Sequence, residues 1–460
     1  MTFLPKGHSP GTVCADQPIN AVRWFFRNHF PLKLTQDPHW KNECQGMPGV
    51  FLLGIDILKI WSVAQGKCNH HRGNLFSNSC EKSYHCNMKK IGLIFSLVAS
   101  VSWAQQAPSS SPYQFSIVKE LAHGAVEDQC QTGTCWSFAT VSFLESEVAR
   151  ISKKNVDLSE LINPRLMYSK KVDSYVRFQG KQQLGPGGLS HDVIQAVREF
   201  GMVPEQVFSG FVLGANTYNH NVLDAYMETT AKMILDKKLN EENADWKVGV
   251  ESLLDAYIGK IPQAFEFEGK KYTPAAFRDY LGINADDYVM LTSFNHHPFY
   301  SSFAVEVPDN WSKGQYYNLP LEEFYQVAMG ALQNGYTIAW DADVSERGFS
   351  FKNNIAVLVD ESVKKEELFT AMHSEPAVTQ ETRQLDFDRF ATTDDHLMHI
   401  VGLSKDQNNN LYFLTKNSWG DRNAAKGYQH VSSAYFKAKT VCMVVHKDAL
   451  PKDLLKKIGK

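Results

Sequence analysis

The chain has 460 residues, 43% of them apolar and 21% charged, with a formal net charge of −3. That length and composition can bury a substantial core, either as one large two-lobed domain or as two ordinary ones. The near-neutral balance, without a long basic run, excludes the electrostatic footprint of a nucleic-acid binder.

Cysteines divide the chain unevenly. Cys14, Cys44, Cys68, Cys80 and Cys86 precede residue 88, whereas only Cys130, Cys135 and Cys442 follow it. Residues 1–87 mix polar and aromatic stretches without periodicity and read as an extension upstream of a start at Met88, outside the mature protein. The other reading of 1–87 is a genuine N-terminal domain. Met88-Lys89-Lys90, an apolar run over 91–101 and Ser102-Trp103-Ala104 follow the order of a secretory signal peptide over 88–104, with cleavage after Ala104. The run is too short for a stable membrane anchor. Residues 105–124, opening Gln105-Gln106-Ala107-Pro108-Ser109, read as a flexible mature N-terminus, and the whole arrangement implies export to a periplasmic or extracellular compartment.

Turn-like residues lead up to Cys135, and Phe138, Val141, Leu144, Val148 and Ile151 then recur at helical spacing, so a helix opens at Cys135. Unpaired N–H groups and the positive end of the helix dipole favour an anion there, which predicts a lowered thiol pKa and a reactive thiolate. A buried, inert cysteine is the bland alternative. Gly185-Pro186-Gly187-Gly188 reads either as a turn or as a strip that lets a peptide backbone approach closely. Amphipathic helices are predicted over 222–239 and 246–258, and Thr273-Pro274 predicts an N-capped helix over 275–281, giving a helical insertion over about 210–285. Strands are predicted over 288–294, 337–344 and 355–358 from β-branched and aromatic content. A thiolate hydrolase also needs an imidazole, and His396 and His399 share one later strand. The strand ending in Asn417-Ser418-Trp419-Gly420 then offers an amide whose carbonyl can accept from an imidazole N–H.

These segments together resemble the papain-like cysteine peptidases. Gln129 six residues before a Gly133-Thr134-Cys135-Trp136 turn, a His with Gly six residues later, and Asn-Ser-Trp-Gly occur in that family's order. The resemblance picks His396 over His399, because Gly402 lies six residues after it, and leaves His399 structural. It implies an α+β fold with a helical lobe facing a β-rich lobe, and a peptidase domain over 125–451. It also implies Cys135 as nucleophile, His396 as base, Asn417 as the residue orienting it, and Gln129 with the Cys135 N–H as oxyanion donors. Trp419 would shield the His–Asn pair, and Gly187 and Gly188 would line the substrate strip. Thr132 departs from papain, which carries a disulfide cysteine there.

Cys135 and His396 are 261 positions apart (396 − 135), roughly twice the papain interval. Phe200-Gly201-Met202-Val203-Pro204, Trp340-Asp341-Ala342-Asp343-Val344, Lys426-Gly427-Tyr428 and the closing Val444 to Pro451 resemble the bleomycin hydrolase and aminopeptidase C branch. That branch implies an aminopeptidase acting on peptide or protein substrates, without metal or organic cofactor, and allows a homo-oligomer. In it a C-terminal extension enters the cleft, and its carboxylate captures the substrate amine. Here the tail 452–460 is short and lysine-rich, and Leu454, Leu455 and Ile458 predict a helix. A papain-like endopeptidase and an inactive papain-like binding protein are the two alternatives. Export would place Cys130 and Cys442 in an oxidising compartment, where a disulfide between them is expected; two separate thiols are the alternative.

Overall fold

A computed structural model describes residues 112–212, 214–239 and 245–460, so the upstream extension and the signal-like segment lie outside the described residues. Strand β1 (Ser116–Glu120) precedes helices α1 (Cys135–Ser152), α2 (Ile162–Arg177) and α3 (Ser190–Glu199). Then follow α4 (Asn221–Asp236), α5 (Asp245–Tyr257), a hairpin of β2 (Phe265–Phe267) and β3 (Lys270–Tyr272), and α6 (Pro274–Leu281). The β-rich half runs β4 (Tyr288–Thr292), β5 (Ser302–Ala304), β6 (Gln315–Asn318), α7 (Leu321–Gln333), β7 (Ile338–Ala342), β8 (Phe349–Ser350) and β9 (Ile355–Ala356). It ends with α8 (Gln380–Asp388), β10 (His396–Lys405), β11 (Leu411–Lys416), β12 (Tyr428–Ser432), α9 (Ser433–Lys439), β13 (Thr440–His446) and α10 (Lys452–Lys457).

The insertion contains the two amphipathic helices and also the β2–β3 hairpin, which strands of three residues are too short to announce through periodicity. At α6 the Thr273 hydroxyl accepts from the Ala276 N–H at 3.2 Å with Pro274 in the first turn, a cap that typically contributes about 1 kcal/mol.

One mixed sheet runs β5-β6-β4-β13-β7-β10-β11-β12-β9-β8, and β10 is its hub. β7 pairs with the first half of β10, from His396↔Ala342 to Ile400↔Ile338. β1 continues that edge antiparallel, from Glu120↔Gly402 to Ser116↔Lys405. A side chain at Gly402 would strike the Lys119 carbonyl, which explains why glycine stands six residues after His396. α1 packs across β10 on the helical side, while α7 and α9 cover the other side around Trp340, Phe413 and Phe436.

Two expectations are corrected here. Residues 116–120, part of the segment read as flexible, form a strand. It is held by backbone pairing while Ile117 and Val118 stay half-exposed, so no alternation of buried side chains marks it. Cys130 and Cys442 are separate free thiols. Cys130 is exposed in the loop before α1, whereas Cys442 is buried in β13 with its thiol 3.4 Å from Asp341 Oδ2.

Candidate active site

Cys135 is the first residue of α1, where an N–H has no intrahelical acceptor. His396 is the first residue of β10, and α1 packs on β10 so that the backbone of Leu397, one residue along, acts on the Cys135 thiol and favours its thiolate. His396 Nε2 lies 2.8 Å from Asn417 Oδ1. The amide orientation of Asn417 is set by its other partners, since Nδ2 donates to Gln429 Oε1 at 2.7 Å and Oδ1 also takes the Ser418 N–H at 2.7 Å. Oδ1 is therefore the atom facing His396, and the network assigns the proton to Nε2 and the lone pair to Nδ1. Trp419 stacks on the imidazole, with ring centroids 4.5 Å apart and 26° between planes. All these groups are buried except Trp419 and Cys135, which keep partial access.

Gln129 is 7% exposed. Its Oε1 accepts from Ser418 Oγ at 2.6 Å and its Nε2 donates one hydrogen to the Thr132 carbonyl at 2.8 Å, leaving a second N–H for a developing oxyanion. The strand-like segment around it is sewn to the Asn417 loop: Gln129 N–H donates to the Ser418 carbonyl, Gly420 N–H donates to the Glu127 carbonyl, and Asp128 bridges Trp419. Ser418 and Gln429 thus orient two of the site's amides. Both were missed in the sequence, where a serine in a loop and a polar residue inside a strand carry no distinguishing signal.

His399 is elsewhere. Its Nδ1 pairs with Ser142 Oγ of α1 at 2.8 Å, away from the thiol. The glycine strip lies beside the nucleophile: Trp136 Nε1 donates to the Pro186 carbonyl at 3.1 Å, and a side chain at Gly188 would press on the Trp136 ring. A cavity of about 600 Å³ adjoins the strip, lined by Tyr168, Lys171, Leu184, Pro186 and Asp224 among others.

The electrostatics depart from the expected lowered thiol pKa. Burial pushes the Cys135 thiol up to about 12, and Asp394, Asp309 and Asp341 add to the rise. Burial also pushes His396 down to about 4, against the opposing effects of Asn417 and Asp395. Desolvation is the largest cause of the thiol's rise, and the Leu397 backbone opposes it. Burial disfavours a lone charge on either group.

Behind Asn417 lies a carboxyl cluster around Lys416, whose ammonium donates to the Gly124 and Ala125 carbonyls. Burial raises Glu145 and Glu160, and raises Glu205 to about 8. A carboxyl whose folded pKa exceeds its unfolded value stabilises fully below the unfolded pKa and loses that stabilisation as pH rises through the folded one. The contribution of these carboxyls to the melting temperature is therefore expected to fall between about pH 5 and pH 8. Thermal scans of a Glu145→Gln, Glu205→Gln double variant should show a flatter slope; an unchanged slope places its origin elsewhere.

Among the described residues one group has metal-ligand character: His296, His297 and Glu306. Its hydrogen bonding does not suit a cation. Gln384 Oε1 accepts the Asn295 N–H at 2.7 Å, so its Nε2 donates to His296 Nδ1 at 2.9 Å and the imidazole proton sits on Nε2, facing Glu306 at 3.0 Å. A metal at Nε2 would displace that proton to Nδ1, against the Gln384 amide.

A helix-opening cysteine, a histidine oriented by an asparagine amide and a preset glutamine donor define a cysteine peptidase site on an α+β scaffold. The chain matches the Peptidase C1-like family over residues 150–460 and the papain family cysteine proteases over 111–163, and it belongs to the Peptidase C1-like family. It is 27% identical over 384 residues to aminopeptidase G of Lactobacillus delbrueckii subsp. lactis, covering 73% of this chain and 83% of that protein. With aminopeptidase C of Lactococcus lactis subsp. cremoris it shares 24% identity over 425 residues, 83% of this chain and 92% of the relative. The fold is that of PepW from Lactobacillus rhamnosis HN001, with a TM-score of 0.60 and 21% identity over 81% of this chain and 92% of that one.

Proposed function

We propose that the chain is a cysteine aminopeptidase in which Cys135 attacks the carbonyl of a substrate's first residue. His396 Nδ1 takes the thiol proton and delivers it to the leaving amine, and water then hydrolyses the thioester. The Cys135 N–H and the unused Gln129 N–H receive the oxyanion, while Asn417 and Trp419 hold the imidazole. The observation that carries this reading is the His396 ring fixed between Asn417 and Trp419, with its Nδ1 lone pair available on the strand that packs against the Cys135 helix. The similarity to aminopeptidases G and C supports removal of single N-terminal residues over internal cleavage.

A fluorogenic peptide amide with a free N-terminus is expected to be cut at least tenfold faster, in kcat/KM, than its N-acetylated form, a discrimination of about 1.4 kcal/mol or more. Equal rates would make the enzyme an endopeptidase. Export belongs to the same proposal: the order of charges and apolar residues over 88–104 supports it, and the mature protein sequenced from its N-terminus should begin at Gln105.

A further inference from the structure

The aminopeptidase reading requires something to stop a peptide from running on past its first residue and something to bind the ammonium group. Residues 452–460 are placed for neither. Leu454 and Ile458 of the tail are buried in the β-side core, Lys457 pairs with Glu323 of α7 at 3.4 Å, and Lys460 lies beside Tyr288, Met290 and Tyr317 of β4 and β6. None of these is a residue of the glycine strip or the catalytic group.

The β5–β6 loop does reach the strip. A side chain at Gly187 would overlap the Asp309 carboxylate, so that carboxylate lies directly over the Gly187 backbone. Lys171 Nζ bonds the Gly187 carbonyl from the same region. The strip is therefore covered at Gly187, with its carbonyl already taken, and is left to substrate at Gly188, beside Trp136 and the nucleophile. The loop is braced to hold this position. Buried Asn310 receives the Gly314 N–H at 2.7 Å and donates to the Val305 and Gly314 carbonyls, while Ser312 donates to Asp192 Oδ1 at 2.7 Å, at the start of α3. Asp309 itself keeps partial exposure, and its field is felt at the Cys135 thiol and at Tyr168, so it stands within electrostatic reach of the reacting atoms.

We infer that Asp309 is the specificity-determining carboxylate that binds the substrate's α-ammonium group, while its loop closes the strip to any residue preceding it. The ligand class is a peptide with a free primary amine at its N-terminus. This inference rests on the aminopeptidase reading and deepens it. Lys171, which also bonds the Gly187 carbonyl, is the main opposing charge on this carboxylate, and the Gln183 side chain acts on it as well. Asp394 and Asp192 also act on it, so an incoming ammonium group meets carboxyl groups on more than one side.

The test compares a free aminoacyl fluorogenic amide with its acetylated and des-amino analogues, for the wild type, Asp309→Asn and Asp309→Ala. The expected result is that the preference for the free amine falls at least 30-fold in both variants, mainly through KM for the free substrate. Epoxide labelling of Cys135 should become faster at neutral pH, because one carboxylate opposing the thiolate is gone. A preference retained within threefold overturns the proposal. Equal losses on all three substrates, with epoxide labelling intact, also overturn it and assign Asp309 to loop structure. If the wild type itself shows no preference for the free amine, the aminopeptidase reading has failed; if it shows the preference and the variants keep it, only the Asp309 assignment has.

Discussion

Replacing Cys135 with alanine is expected to lower peptide hydrolysis by roughly 10⁴-fold or more while leaving the fold intact. The sulfur is the only nucleophile at the α1 start; the described neighbours that could substitute for it, Ser137 and Thr134, are buried and turned into other hydrogen bonds. Ser137 Oγ donates to the Glu160 carbonyl at 2.5 Å, and Thr134 Oγ1 pairs with Thr132 Oγ1 at 2.6 Å. Removing the thiol leaves His396 held by Asn417 but with no proton to take. Covalent labelling by a thiol-directed epoxide should vanish in Cys135→Ala and persist in Cys130→Ala, whose thiol lies exposed outside the site. Labelling of Cys135→Ala at the wild-type rate would sink the assignment.

Gln129→Ala is expected to reduce kcat by roughly 10²–10³-fold, about 2.7–4 kcal/mol of transition-state stabilisation, with KM changed far less. The split follows from timing: the free N–H of Gln129 meets strong negative charge only once the carbonyl becomes tetrahedral, so the ground-state complex loses little. Gln129→Ala also strands the Ser418 hydroxyl, which now donates to Gln129 Oε1, so some loss of stability is expected beside the kinetic effect. Gln129→Glu keeps an acceptor for Ser418 and places a negative charge where the oxyanion forms. Steady-state kinetics should show it to be at least as slow as Gln129→Ala, and a Gln129→Glu variant with wild-type kcat would exclude an oxyanion role.

The site was legible in the sequence to the extent that its chemistry depends on residue type at fixed local spacing. Cys135 at a helix start could be placed from turn residues and periodicity, whereas His396, six residues before Gly402, and Asn417, opening Asn-Ser-Trp-Gly, were legible through their resemblance to a family pattern. What escaped was set by contacts between distant segments. Ser418 and Gln429 orient Gln129 and Asn417 across 289 and 12 positions, and no local pattern separates them from other polar residues. Strand β1 escaped because it is held by backbone groups and leaves its apolar side chains half-exposed. The thiol's direction of shift was misread for a related reason: the helix dipole is visible from the chain, but the burial and the three carboxylates that oppose it come from β7, the β5–β6 loop and the residues before β10. The Cys130–Cys442 pairing failed on the same ground, since two spare thiols in the sequence say nothing about their separation.

The seam between residues 127–129 and 418–420 joins the segment bearing the proposed oxyanion donor to the loop bearing the imidazole's support. The donor and the base-orienting loop are therefore tied by backbone hydrogen bonds into one unit, and parts tied in this way take little of a substrate's binding free energy to bring into register.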